Sequence, residues 1–350
     1  MRNNMSHTYV IGEIGQNHNG SVDIAKLLVD VVSRPIYDKL FNNTLPIMDA
    51  VKLTKRDLKQ ELSHSQMSRP YDNPNSFGKT YGEHREFLEL SDEEHFEVYQ
   101  YAKSKGLDFV ETLCAIGCLS LLKLFTPDKL KVASRDLTNL PLLEALAETK
   151  IPLIVSTGMA GKKELDDAVD VITKYHSDLS ILHCVSEYPT RYENVNLRTI
   201  TYLKKHYPQF TIGYSDHTIG IATPIAAVGM GAEIIEKHIT LDRGMKGTDQ
   251  AGSLAIDGIY RMMRDIRNLD LSLGKEEIYI EPSVQAAREK LERSIATKSH
   301  LPKGAIIQEK DLHLLSPGDG YKWAQLNELI GKKVLQDIPK DEIIYKNMIE

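Results

Sequence analysis

The side chains able to do chemistry in this sequence are a pair of imidazoles, a pair of ammonium groups and a set of hydroxyls. His217 stands in Gly213-Tyr214-Ser215-Asp216-His217-Thr218 and His238 in Glu236-Lys237-His238. Neutral imidazoles ligate borderline divalent metals. Two of them facing one space can share an ion whose other positions stay open to water and substrate, as a catalytic metal requires. Either histidine alone is more often a hydrogen-bonding structural residue, so the metal reading rests on the pair. Lys52 and Lys131 each end an apolar run, Ala50-Val51-Lys52 and Leu130-Lys131. An ammonium there is costly unless a negative charge meets it, either a neighbouring carboxylate or an anionic ligand. Thr112, Ser134, Ser186 and Ser215 offer neutral donors at comparable places, and lysine charge combined with hydroxyls is how phosphate sites are built.

Positioning these groups calls for a repeated scaffold. Between Tyr9 and about Leu273, short β-branched runs alternate with helical stretches, the signature of βα units and a parallel sheet. The predicted strands are Tyr9 to Glu13, Ala50 to Thr54, Asp108 to Thr112, Lys129 to Ala133, Leu153 to Ser156, Ser180 to His183, Thr211 to Ser215 and Ile234 to Ile239. One predicted helix starts at Ser91, where Glu94 completes a capping box, and another runs from Lys163 to Ile172. Eight such units without a glycine-rich dinucleotide fingerprint after the first strand favour a closed (β/α)8 TIM barrel. Catalytic groups in that fold project from the C-terminal strand ends. These ends carry Glu13, Lys52, Thr112, Lys131 with Ser134, Ser156, His183 to Ser186, Ser215 with His217, and Glu236 with His238. The last two strands are barrel neighbours, which brings the histidines together.

Two stretches break the rhythm. Ser33 to Asp49 lengthens the passage to the second strand, and Lys55 to Leu88 reads as a long polar loop over that strand's end. The barrel is predicted over residues 1–280, a charged linker over 281–292, and a small turn-rich domain over 293–350. The turns of that domain are Pro302-Lys303-Gly304, Ser316-Pro317-Gly318-Asp319-Gly320 and Pro339-Lys340-Asp341.

Composition narrows the class. With 350 residues, 41% hydrophobic and 26% charged, the chain is an ordinary globular one, and a formal charge of -6 argues against a duplex nucleic-acid binder. Met1 to Gln16 lacks the apolar region of a signal peptide, and the tract Ile221 to Ile235 is interrupted by Thr223, Pro224 and Glu233. Three sparse cysteines, Cys114, Cys118 and Cys184, suit a reducing compartment. A cytoplasmic protein with no membrane partner is expected.

The strings Glu13-Ile14-Gly15-Gln16-Asn17-His18-Asn19-Gly20, Val51-Lys52, Ser156-Thr157-Gly158-Met159, His183-Cys184, Tyr188-Pro189-Thr190, Gly213 to Thr218 and Glu236-Lys237-His238 resemble the sialic acid synthase family over almost the whole chain. The tail from about Ser294 resembles that family's antifreeze-like (SAF) domain. The resemblance implies condensation of phosphoenolpyruvate with an N-acyl hexosamine, N-acetylmannosamine in the commonest case, to a nine-carbon 2-keto acid and phosphate. It implies a divalent cation on His217 and His238, Mn2+ foremost with Mg2+ or Co2+ as alternatives. Thr112, Lys131, Ser134, Ser186 and Ser215 match positions that grip phosphoenolpyruvate, and Lys52 matches the other active-site lysine. Glu13, Asn75, Tyr188 and Asp249 match sugar-side positions, Glu13 and Asp249 being also proton carriers. A domain-swapped homodimer, with the small domain closing the neighbour's barrel, is implied as well.

The chain departs from the family pattern where the acceptor is read. Thr54 replaces a sugar-contacting glutamine, and Ser316 replaces an arginine that reaches the N-acyl group from a partner subunit. Serine cannot replace that planar charged fork, and Arg135 is a candidate substitute. The expected activity is therefore N-acetylneuraminate synthesis, with a legionaminate, pseudaminate or related synthase as the alternative. A binding module that has lost catalysis is the reading from another class, and the retained histidines and lysines argue against it.

Overall fold

The computed structural model describes residues 7–39, 42–45 and 48–350. They form two units, residues 1–274 and 275–350. In the first, eight strands are all parallel and close into a barrel: β1 Tyr9–Gly15, β2 Ala50–Lys55, β3 Asp108–Leu113, β4 Lys129–Val132, β5 Leu153–Ser156, β6 Leu179–Cys184, β7 Thr211–Asp216 and β8 Ile234–His238. Each strand is paired with its neighbours in chain order, and β1 closes the ring on β8. All eight lie where the apolar runs predicted them.

The twofold alternation along each strand makes two apolar layers and one polar ring. Ile11, Ala50, Val110, Ile154, Leu182 and Ile234 pack together inside the barrel. The intervening positions, among them Val10, Val51, Phe109, Leu130, Val155, Ile181, Ile212 and Ile235, join the larger core against the helices. Two residues beyond the inner layer, on the same face, stand Glu13, Lys52, Thr112, Ser156, Cys184 and Glu236. The apolar floor and the polar ring above it are thus successive turns of one periodicity.

The stretch Ser33 to Asp49 holds a short antiparallel hairpin, Ile36–Asp38 with Asn43–Leu45. The stretch expected to be a polar loop contains three short helices, Leu58–Glu61, His64–Met67 and Tyr81–Leu88. They were illegible by periodicity because two of them make one turn each. Their caps are ordinary, Asp57, Ser63 and Thr80, the last forming a capping box with Glu83. The helix predicted at Ser91 forms over Asp92–Ser104 with the Ser91 and Glu94 capping box in place.

The second unit opens with the helix Gln285–Leu291. It then pairs β9 Ser294–Thr297 antiparallel with β10 Leu312–Leu315. Its own small core is Ile295, Leu301, Ile307, Leu312, Leu329, Val334, Ile338 and Ile344. No helix among the described residues is long and apolar enough to cross a membrane.

Candidate active site

A cavity of about 460 Å³ opens at the C-terminal ends of the barrel strands. It is lined by Glu13, Lys52, Thr112, Lys131, Ser134, Ser186, Tyr188, Ser215, His217, His238 and Asp249, eleven of the twelve residues singled out from sequence. Asn75 is not brought to this lining; its backbone N–H donates to Asn73 Oδ1 within the Arg56 to Leu88 segment. Glu236 and Ser156, which the sequence places at strand ends without assigning either a role, also line the cavity. The signal was present, because Ile234, Glu236 and His238 alternate on one face of β8.

Strand register explains the pairings. Glu13 is level with Lys52 on one side and His238 on the other, Thr112 is level with Lys131, and Ser215 is level with Glu236. Lys52 Nζ lies 2.9 Å from Glu13 Oε2 and 3.7 Å from Glu236 Oε2, and donates to Thr112 Oγ1 at 3.2 Å. Lys131 Nζ donates to Ser156 Oγ at 2.7 Å and lies 4.0 Å from Glu236 Oε1, which also accepts from Ser215 Oγ at 2.9 Å. Both lysines and both carboxylates are almost fully buried.

Burial and pairing separate the two carboxylates. Burial opposes the ionisation of Glu236, but Lys131, Lys52 and the Ser215 hydroxyl more than offset it and hold the group at about 2. For Glu13 burial prevails over Lys52, and the nearby Glu236 charge adds to it, so Glu13 is pushed up to about 7. A carboxylate fixed in its ionised form thus stands beside one able to exchange a proton near neutrality. Burial weakens the Lys52 ammonium, yet Glu13 and Glu236 keep its pKa above the ordinary lysine value. Lys131 goes the other way, pulled down by burial with only partial relief from Glu236. Lys131 therefore gains most from an incoming anion.

Gly158 shapes the space beside Lys131. Its N–H donates to Ser134 Oγ at 3.0 Å and its carbonyl accepts from the Ser186 N–H at 3.3 Å. A Cβ at this position would stand 2.4 Å from Ser186 Oγ, 2.8 Å from Ser134 Oγ and 2.9 Å from Cys184 Sγ. We expect Gly158→Ala to spread the two hydroxyls and raise the KM for an anionic substrate about tenfold or more, with the folded state retained, since two hydrogen bonds to a charged group are at stake. An unchanged KM would mean that the two serines do not hold the anion.

The histidines sit on the opposite flank with ring centroids 5.5 Å apart, and Tyr188 lies over His217 at 4.0 Å between centroids. His217 Nδ1 donates to the Val185 carbonyl at 2.8 Å, which leaves its Nε2 lone pair free to ligate. His238 Nδ1 is buried with no hydrogen-bond partner among the described residues, and burial holds this imidazole below its usual pKa and hence neutral. Among the described residues no cluster of three or more His, Cys, Asp or Glu side chains could hold a metal by itself. The donor set thus fits a cation taking two imidazoles and filling its other positions from water and substrate. Gly15, at φ 52°, takes the left-handed turn that carries the chain away above Glu13 and His238. His183, by contrast, is a structural residue whose Nε2 meets the Val195 carbonyl at 2.6 Å.

A parallel barrel with paired lysines, a serine cradle and two metal-ready imidazoles at its mouth defines an enzyme class acting on an anionic substrate. Residues 47–278 match the NeuB family and residues 292–350 the SAF domain. The chain is 32% identical to N-acetylneuraminate-9-phosphate synthase of Homo sapiens over 98% of its length and 92% of that protein's. It is also 32% identical to N,N'-diacetyllegionaminic acid synthase of Legionella pneumophila, over 94% and 91%. A crystal structure of N-acetylneuraminic acid synthetase from Leptospira borgpetersenii superposes with a TM-score of 0.68 at 29% identity, covering 81% of this chain and 90% of that one. The chain belongs to the NeuB family and is a phosphoenolpyruvate-dependent nonulosonic acid synthase with a C-terminal SAF domain.

Proposed function

We propose that the enzyme joins phosphoenolpyruvate to N-acetylmannosamine with addition of water, giving N-acetylneuraminate and phosphate. The observation that carries this reading is the single cavity in which Lys52, Lys131 and the serine hydroxyls stand beside Glu13, Tyr188, Asp249, His217 and His238. Lys131, Lys52, Thr112, Ser134, Ser186 and Ser215 bind the carboxylate and phosphate of the enol ester and fix its C3 against the aldehyde carbon of the open-chain sugar. As the C–C bond forms, positive charge develops at C2, and the ionised Glu236 lies where it can stabilise that charge. Water adds at C2 and gives one proton to Glu13, which passes it on to the alkoxide formed from the aldehyde oxygen. The C2–O bond then breaks, phosphate leaves with the bonding electron pair and takes up the proton of the C2 hydroxyl, and the 2-keto group forms. Asp249 is a second proton carrier at the sugar side.

His217 and His238 would hold a divalent cation, Mn2+ foremost, which when bound polarises the aldehyde oxygen as a Lewis acid. A domain-swapped homodimer accompanies this reading. Light scattering is expected to give twice the chain mass, and a mass of one chain at assay concentration would contradict it. The match to the legionaminic acid synthase favours a second acceptor class, the diacetamido-trideoxyhexoses. The deciding experiment supplies phosphoenolpyruvate, Mn2+ and each of N-acetylmannosamine, mannose and the diacetamido sugars, with mass spectrometry of the products. A nine-carbon keto acid from N-acetylmannosamine, abolished by chelator and by His217→Ala, is expected. A product only from a diacetamido sugar would favour the second reading, and no product from any acceptor would contradict both.

A further inference from the structure

The string Gln16-Asn17-His18-Asn19 after β1 carries two amides, Asn17 and Asn19, whose side chains both donate to the segment that follows β8. That segment, residues 239–253, brings Asp249 to the cavity, yet its one helical element is the single turn Gln250–Gly252. The Asp249 carboxylate has one hydrogen bond among the described residues, from Thr248 Oγ1 at 3.0 Å. In a loop of this kind a reacting group is only as well placed as the contacts that tie the backbone down.

Asn17 supplies the tie. It is 2% exposed, and its Nδ2 donates to the Ile239 carbonyl at 2.7 Å and to Ser253 Oγ at 2.8 Å. Ser253 is equally buried and donates its only hydroxyl hydrogen to the Asp249 carbonyl at 2.7 Å. A carbonyl only accepts and a hydroxyl has one hydrogen, so the direction of all three bonds is fixed and both amide hydrogens of Asn17 are used. Gln250, 1% exposed, reinforces the array: its Nε2 donates to the Asn17 carbonyl at 3.1 Å and to Asn19 Oδ1 at 3.3 Å, and its Oε1 accepts from Thr240 Oγ1. Asn19 Nδ2 in turn holds the Lys246 carbonyl at 2.9 Å. A buried network with its donors paired is stiff, and each link is costly to break.

The two ends of this array matter. Ile239 is the residue after His238, and Asp249 is the carboxylate of the sugar side, so one buried amide spans the imidazole and the carboxylate. Neither Asn17 nor Ser253 lines the cavity, so both act through the groups they hold. We infer that Asn17 is a positioning residue: acting through Ser253, its amide sets where Asp249 stands relative to His238, and hence where the acceptor sits between its proton carrier and the cation that His238 would share. The inference rests on the proposed reaction and adds to it a residue that touches neither substrate.

The test compares full-length wild type with Ser253→Ala, Ser253→Thr, Asn17→Ala and the double variant Asn17→Ala with Ser253→Ala. Each is read by thermal melt, by steady-state kinetics with phosphoenolpyruvate and the acceptor that turns over, and by calorimetric titration of Mn2+ into the metal-free protein. Ser253→Ala cuts the link to Asp249 and keeps the one to Ile239. Its kcat is expected to fall about tenfold or more, with Mn2+ binding unchanged and the KM for phosphoenolpyruvate within about twofold of wild type. Ser253→Thr keeps the hydroxyl and is expected to restore kcat. Asn17→Ala cuts both links, so it is expected to lower kcat at least as far and also to weaken Mn2+ binding about tenfold. The double variant is expected to match Asn17→Ala, because the two residues act in series. Unchanged kcat in Ser253→Ala, losses that multiply in the double variant, or a KM for phosphoenolpyruvate rising as steeply as kcat falls would overturn the inference. Should Asn17→Ala not fold, the two Ser253 variants carry the same comparison of kcat. If no acceptor turns over with the wild type, the proposed reaction fails separately and the Mn2+ titrations decide. Binding weakened by Asn17→Ala but not by Ser253→Ala supports the brace, and equal binding or none in all the proteins overturns it.

Discussion

Lys131→Met is expected to lower kcat/KM for phosphoenolpyruvate by about 10³-fold while leaving the fold intact, a larger loss than any other single substitution in the hydroxyl and lysine ring. The ammonium is 2% exposed and is held by Ser156 Oγ at 2.7 Å and the Val132 carbonyl at 3.1 Å, so it points into the cavity with little freedom. Burial already depresses its pKa, and Glu236 at 4.0 Å compensates only in part. An arriving phosphate or carboxylate supplies the missing negative charge in a medium where Coulomb attraction is strong. Methionine keeps the length of the side chain and removes the charge, so stability should hold or rise, as when a buried charge is replaced by an apolar group of similar volume. Steady-state kinetics with thermal melts checks this. A loss below about tenfold would mean that Lys131 is a structural partner of Glu236 and not an anion ligand.

The second large effect concerns stability. Asp216 and Lys237 pair at 2.6 Å with both side chains at 0% exposure, on the outer faces of β7 and β8, each preceding a histidine of the site. Their environments are unequal. Asp216 also accepts from Tyr214 Oη, the Thr218 N–H, Thr218 Oγ1 and Thr223 Oγ1, whereas Lys237 has beyond Asp216 only the Thr218 carbonyl among the described residues. Asp216→Ala strands an ammonium in the core and is expected to cost about 3–5 kcal/mol, with Lys237→Met nearer the lower bound because four donors still satisfy the carboxylate. Removing both charges should cost less than the sum of the single changes. Urea denaturation of the two single variants and the double variant measures this, and additive costs would show that the pair is not coupled.

How far the sequence could be read follows from where periodicity operates. The barrel strands were legible because inner and outer faces alternate through Ile11, Glu13 and their equivalents, and a chemistry-bearing ring at strand ends follows from that alternation. Lys52 and Lys131 each had two explanations in the sequence, and the structure gives Lys52 its carboxylate partner while Lys131 keeps hydroxyl and carbonyl contacts. Glu236 is legible as a strand-end residue on the face of His238, but its role is not, since only register and distance show that it stands level with Ser215 and between the two lysines. The Arg56 to Leu88 segment was not legible. Its helices are set by caps and by a side-chain cluster, Tyr71, Phe77, Tyr81, His84 and Phe87, with no repeat to read. That is why Asn75 matches a sugar-side position by resemblance and yet lies away from the cavity lining. The replacement at Ser316 was visible, and its hydroxyl donates to the Leu291 carbonyl at 3.0 Å.

The most direct test of the chemistry uses phosphoenolpyruvate carrying oxygen-18 at the bridging position, with N-acetylmannosamine as acceptor and Mn2+ present. We expect the label to leave in phosphate, one phosphate per keto acid formed, and only when acceptor is present, because the C2–O bond breaks after C–C bond formation. Unlabelled phosphate, from cleavage at phosphorus, or labelled phosphate released without acceptor would contradict a condensation in which Lys52, Lys131 and Glu236 act on C2.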